Sequence, residues 1–63
     1  MTKADLEYVF SRLLVIYEPA TALKWLLGVN AHLGDKRPID VLIEGNYNAV
    51  HAAIDAEIGG SYA

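Results

Sequence analysis

The sequence predicts an all-α fold, a small compact bundle of about four to five helices, two of them only one or two turns long. Two observations carry this. Apolar residues recur at helical spacing in two stretches, Leu6 to Tyr17 and Tyr47 to Ile58. Between and around them, capping residues, prolines and glycines alternate as start and stop signals. The 63 residues make one domain: an N-terminal helix over 1–18, a helical core over 19–58 and a tail over 59–63. A chain this size buries about 60% of the surface its unfolded form exposes, and it has no cysteine to help. Its 54% hydrophobic content is more than so small a core needs, which points to an interface.

Thr2, with Asp5 three residues on, has the form of a helix cap. Leu6, Val9, Phe10, Leu13, Leu14 and Tyr17 then form one broad apolar face, and Tyr8, Arg12 and Val15 lie opposite. Glu18-Pro19 breaks this helix, and Pro19 opens the next, with Leu23, Leu26 and Leu27 on one side and Trp25 as a partly buried anchor whose ring nitrogen reaches a carbonyl. Gly28 is expected to end it in a left-handed turn. Asn30 caps a single turn that Gly34 ends. Asp35-Lys36-Arg37 reads as a charged loop, and Arg37 is kept out of the helical region by the proline after it. Pro38 opens a short helix, with Asp40 near its positive end, and Gly45 closes it. Asn46 caps the last helix, in which Tyr47, Val50, Ile54 and Ile58 face the core. Ala49, Ala52, Ala53 and Ala56 form a second, flat stripe. Gly59-Gly60 stops that helix, and Ser61-Tyr62-Ala63 follows.

The composition argues against several functions. The net charge is −3, and Lys36-Arg37 is the largest basic cluster, so the chain lacks the positive footprint of a duplex binder. No apolar run approaches the ~20 residues that cross a bilayer. His32 and His51 have no metal-binding spacing and read as structural or surface residues, with His51 suited to a hydrogen bond at the core edge or an interface. The serine and threonine hydroxyls have no base beside them, so neither catalysis nor a cofactor is expected. A cysteine-free chain fits a cytoplasmic protein.

Trp25-Leu26, Asn30, Leu33-Gly34, Pro38, Leu42 and a terminal Gly60-Ser61-Tyr62-Ala63 follow one another in an order that resembles the toxin-binding domain of the Xre/MbcA/ParS antitoxins, the partners of RES-domain toxins. The resemblance runs from about Ala20 to Ala63, roughly two-thirds of the chain. It implies a helical bundle that neutralises a toxin consuming NAD or transferring its ADP-ribosyl part. It also implies that the end of the chain, at Gly60, Tyr62 and Ala63, approaches the toxin's NAD cleft. Full-length members often carry a helix-turn-helix region upstream. Here one amphipathic helix precedes the matching part, so promoter binding does not carry over; the chain reads as either a stand-alone toxin-binding protein, toward which the initial Met1 leans, or a piece of a longer one.

Two sets of residues are candidates for contact. The first is the tail, Gly59, Gly60, Ser61, Tyr62 and Ala63, with a hinge, an aromatic ring and a free carboxylate; its plain alternative is a frayed terminus. The second is Ala49, Ala52 and Ala56, whose small side chains let a backbone come close, together with Lys36, Arg37, Tyr8 and Arg12. The plain alternatives are helix propensity for the alanines and ordinary solvated surface for the rest. The expected function is toxin neutralisation. The alternative is a helical dimerisation module, the detached C-terminal part of a transcriptional regulator, and a homodimer is compatible with both.

Overall fold

A computed structural model describes residues 1–59, and these form the all-helical bundle expected: α1 (Lys3–Leu13), α2 (Pro19–Leu27), a 3-10 turn (Ala31–Leu33), α3 (Pro38–Ile43) and α4 (Tyr47–Gly59). α4 is the central post. α1 packs along one side of it, α3 and the 3-10 turn along another, and α2 lies on α3. The enclosed core is Val9 and Leu13 from α1, Ala22 and Leu26 from α2, Leu33, Val41 and Leu42, and Val50, Ala53 and Ile54 from α4.

Each helix starts where its own sequence directs. The Thr2 hydroxyl accepts from the Asp5 amide while the Asp5 carboxylate accepts from the Thr2 amide, a reciprocal capping box. That carboxylate is held below its ordinary pKa, first by the Thr2 backbone bond and then by the Thr2 hydroxyl. Pro19 and Pro38 sit at first helical positions after the extended residues Glu18 and Arg37. Asn46 accepts from the Ala49 amide to start α4.

Between α2 and α3 the chain ties a compact knot around Asn30. Its side chain accepts from the His32 amide at 2.9 Å, and its carbonyl accepts from the Leu33 and Asp35 amides. Its own amide donates to the Lys36 carbonyl, an isolated antiparallel bridge. Gly34 and Asp35 take left-handed backbones, φ 65° and 62°, to reverse the chain between Leu33 and Lys36. Gly45, φ 88°, closes α3: its amide donates to Leu42 and the next amide to Val41, satisfying two carbonyls left open at the helix end.

Several expectations are corrected. Gly28 is extended, with φ −94° and ψ 153°, because the chain must run straight into the Asn30–Lys36 bridge; the left-handed turns lie at Gly34 and Gly45. α1 ends at Leu13 rather than near Glu18. The β-branched Val15-Ile16 pair and the Pro19 ahead unwind the next residues into turns, which leave Leu14 and Val15 exposed and bring Tyr17 back against the core. α2 faces inward with Ala22 and Leu26, so Leu23 and Leu27 lie outside at 51% and 55% exposure. At the ends of α4, Tyr47 and Ile58 extend past their packing partners and are partly exposed. Ala53 replaces them in the core, and Ala49 and Ala56 are half-buried. The alanine stripe is therefore no open face; Ala52 is its exposed member.

Three substitutions test this account. Leu42→Ala empties a fully buried site and is expected to cost about 2–5 kcal/mol by urea unfolding. Gly34→Ala meets no atom within 4 Å, so its cost is the left-handed backbone alone, about 1–2 kcal/mol. Gly59→Ala, at an open position at the end of α4, should instead be neutral or slightly stabilising.

Candidate functional site

Of the residues that carry the family-like pattern, Leu26, Asn30, Leu33, Gly34, Pro38 and Leu42 build the α2–α3 knot and the core beneath it. Leu33 and Leu42 are buried, Pro38 is buried at the start of α3, Asn30 ties the backbone, Gly34 turns it, and Leu26 anchors α2. Trp25 lies on the flank of α2 next to the core, partly buried. Its indole N–H donates to Glu57 Oε1 at 3.1 Å, a side-chain carboxylate in α4 rather than a carbonyl.

Glu57 is the residue that the sequence pattern did not single out. Its second oxygen accepts from the Tyr17 hydroxyl at 2.8 Å. One carboxylate thus ties the segment after α1 and the flank of α2 to the last turn of α4. The helix dipole alone disfavours an acid there, so the two donors offset a local cost. Accepting the hydroxyl, and burial second, raise the Tyr17 pKa above its ordinary value.

A second polar cluster joins α1 to α4. Arg12 donates from Nη1 to His51 Nδ1 at 2.9 Å and pairs through Nη2 with Asp55. His51 Nδ1 is thereby an acceptor, which puts the imidazole proton on Nε2. The Tyr8 ring lies 5.1 Å from the His51 ring, tilted by 46°. Arg12 is therefore engaged within the chain, whereas Tyr8 keeps 61% of its surface exposed.

Lys36 and Arg37 are also paired internally. Lys36 Nζ lies 3.4 Å from Glu44, and Arg37 grips Asp40 with two bonds at 2.8 and 2.9 Å. The Arg37 guanidinium holds the Asp40 carboxyl below the usual range, and Arg37 is raised in turn. These pairs rim an open groove of about 600 Å³ whose apolar floor is Val29 and Ile43, exposed at 73% and 60%. Both pairs sit in water and add little stability. They neutralise the groove, so Lys36 and Arg37 do not form a basic patch.

Of the tail, Gly59 ends α4; Gly60, Ser61, Tyr62 and Ala63 lie outside the described residues. The structure thus joins Trp25, Leu26, Leu33 and Leu42 through the core, joins Tyr8 and Arg12 through His51, and leaves Ala52 apart from both clusters. His32 is exposed. Among the described residues no three His, Cys, Asp or Glu side chains gather as a metal site, and no helix is long and apolar enough to cross a membrane. No family model, curated protein or solved structure matches the chain.

The Glu57 contacts give a pH signature. A tyrosine whose folded pKa is raised stabilises the fold fully below its unfolded value, about 10, and loses that contribution as pH rises through the folded value. Tyr47 is raised as well, by burial first and then by Asp5, and contributes with the same sign. Folding stability is expected to fall above about pH 10. Tyr17→Phe should flatten part of that limb, and Tyr17→Phe with Tyr47→Phe most of it, in chemical unfolding followed from pH 8 to pH 11.

Proposed function

We propose that the chain is the toxin-binding domain of an antitoxin, which neutralises a RES-type toxin by covering its NAD cleft and performs no chemistry itself. The observation that carries this reading is the ordered set Trp25-Leu26, Asn30, Leu33-Gly34, Pro38 and Leu42. All but Trp25 share one structural task, the α2–α3 knot and the core beneath it. A pattern so concentrated specifies a scaffold, and a scaffold leaves other surfaces to meet the partner. Val29 and Ile43, which line one open groove, are more than half exposed, an apolar surface suited to a protein partner.

On this reading the inhibitory part is the tail. Glu57 fixes the turn of α4 from which it leaves. Gly59 and Gly60 let the chain depart from the helix axis. The Tyr62 ring stacks against the wall that holds a nucleotide base, and the Ala63 carboxylate pairs with an arginine that otherwise binds pyrophosphate. The mechanism is steric and electrostatic occupation, in the cytoplasm, where the toxin's NAD is found.

Co-expression with a RES toxin, followed by pull-down and an assay of NAD turnover, tests the reading. The intact chain is expected to co-purify and to suppress turnover. Removal of Tyr62 and Ala63 should restore turnover by at least about tenfold, the loss of one charge-assisted contact or more, while the complex survives. Unchanged inhibition discards the plugging mechanism, and failure to form any complex discards the assignment.

A further inference from the structure

α1 and α2 follow each other in the chain but pack on different partners, α1 on α4 and α2 on α3. Between them lies a groove of about 300 Å³ lined by Leu6, Phe10, Leu23 and Leu26, with Glu7 on its rim. Leu27, one turn beyond Leu23, extends its apolar wall at the surface. The rotation that turns Ala22 and Leu26 inward is what leaves this wall uncovered.

We infer that this groove is closed by a second copy of the chain, with α1 and α2 of each copy packed against α2 and α1 of the other across a two-fold axis. The surface is self-complementary. The α2 flank projects Leu23 and Leu27 at the i, i+4 spacing by which a helix fills an apolar groove. Lys24 stands beside them, and the rim of the facing groove carries Glu7. Among the described residues neither Lys24 nor Glu7 has an ion-pair partner, in contrast to Arg12, Lys36 and Arg37. A two-fold contact therefore brings each lysine to the other copy's glutamate twice, from one patch. A standard interface takes about 800 Å² from each partner, roughly a fifth of the chain's 4101 Å² of surface. The Val29–Ile43 groove, with its internally paired rim, shares no lining residue with this one and is left to meet a different partner.

The inference is independent of the antitoxin reading, and the test separates the two. Sedimentation equilibrium of the full chain over a wide concentration range is expected to show a monomer–dimer equilibrium. Leu23→Glu, at an exposed position, should raise the dimer dissociation constant by about tenfold or more, with its helical circular dichroism unchanged. Glu7→Lys alone should weaken the dimer, and Glu7→Lys with Lys24→Glu should recover most of the loss. A chain that is monomeric throughout overturns the proposal, and loss of toxin binding in Leu23→Glu would then assign the groove to that partner. A dimer indifferent to Leu23→Glu and to the charge exchange also overturns it, because it uses another face.

Discussion

Everything between α2 and α4 depends on how Asn30 satisfies the backbone around it. The chain reverses direction between Asn30 and Lys36, and an unpaired amide in such a turn costs about as much as a buried hydrogen bond. Asn30 removes that cost with its amide, its carbonyl and its side-chain oxygen, which engage Lys36, Leu33, Asp35 and His32. The knot also sets direction. It drops Leu33 into the core beside α4 and delivers Pro38 to the start of α3, where its missing N–H leaves no helical bond unmade. A 3-10 turn of three residues would not hold in isolation; here the bridge on one side and the core on the other hold it.

The second constraint acts at longer range. α4 is tied to the rest of the bundle by polar side chains along its middle and last turn: His51 and Asp55 receive Arg12, and Glu57 receives Tyr17 and Trp25. These contacts cover the edges of a core whose centre is wholly apolar. Their individual values are modest because each is partly wet. Their geometric effect is larger. They fix the rotation of α1 and α2 about their own axes, and the rotation decides which apolar side chains are inside.

What was legible in the sequence was local. The Thr2–Asp5 box, the Asn30 cap, the Gly34 and Gly45 turns and the proline starts each involve residues within a few positions of one another, so residue type and spacing suffice to read them. The helical periodicity likewise gave α1 and α4 their core residues Val9, Leu13, Val50 and Ile54. The inward face of α2 was not legible. By hydrophobicity alone Leu23 and Leu27 outrank Ala22, yet Ala22 is buried because a small residue is what lets α2 lie close to its neighbours. Glu57 was invisible for a related reason: its donors lie 40 and 32 residues away and leave no periodic trace. Gly28 misled because the signal for a left-handed stop is local, while the demand for an extended backbone comes from the pairing of Asn30 with Lys36.

The exposed leucines follow from the same rotation. Successive residues in a helix are separated by about 100°. Turning α2 far enough to bury Leu23 would carry Ala22 and Leu26 away from the core and pull Trp25 off Glu57. A leucine would then have to fit where Ala22 now allows close approach, an overpacking that costs about 1–3 kcal/mol. The present rotation leaves Leu23 and Leu27 in water instead, at about 25 cal/mol for each Å² of apolar area left uncovered. Among the described residues no further helix covers them, so this apolar wall is removed from water by association or remains a standing cost of the fold.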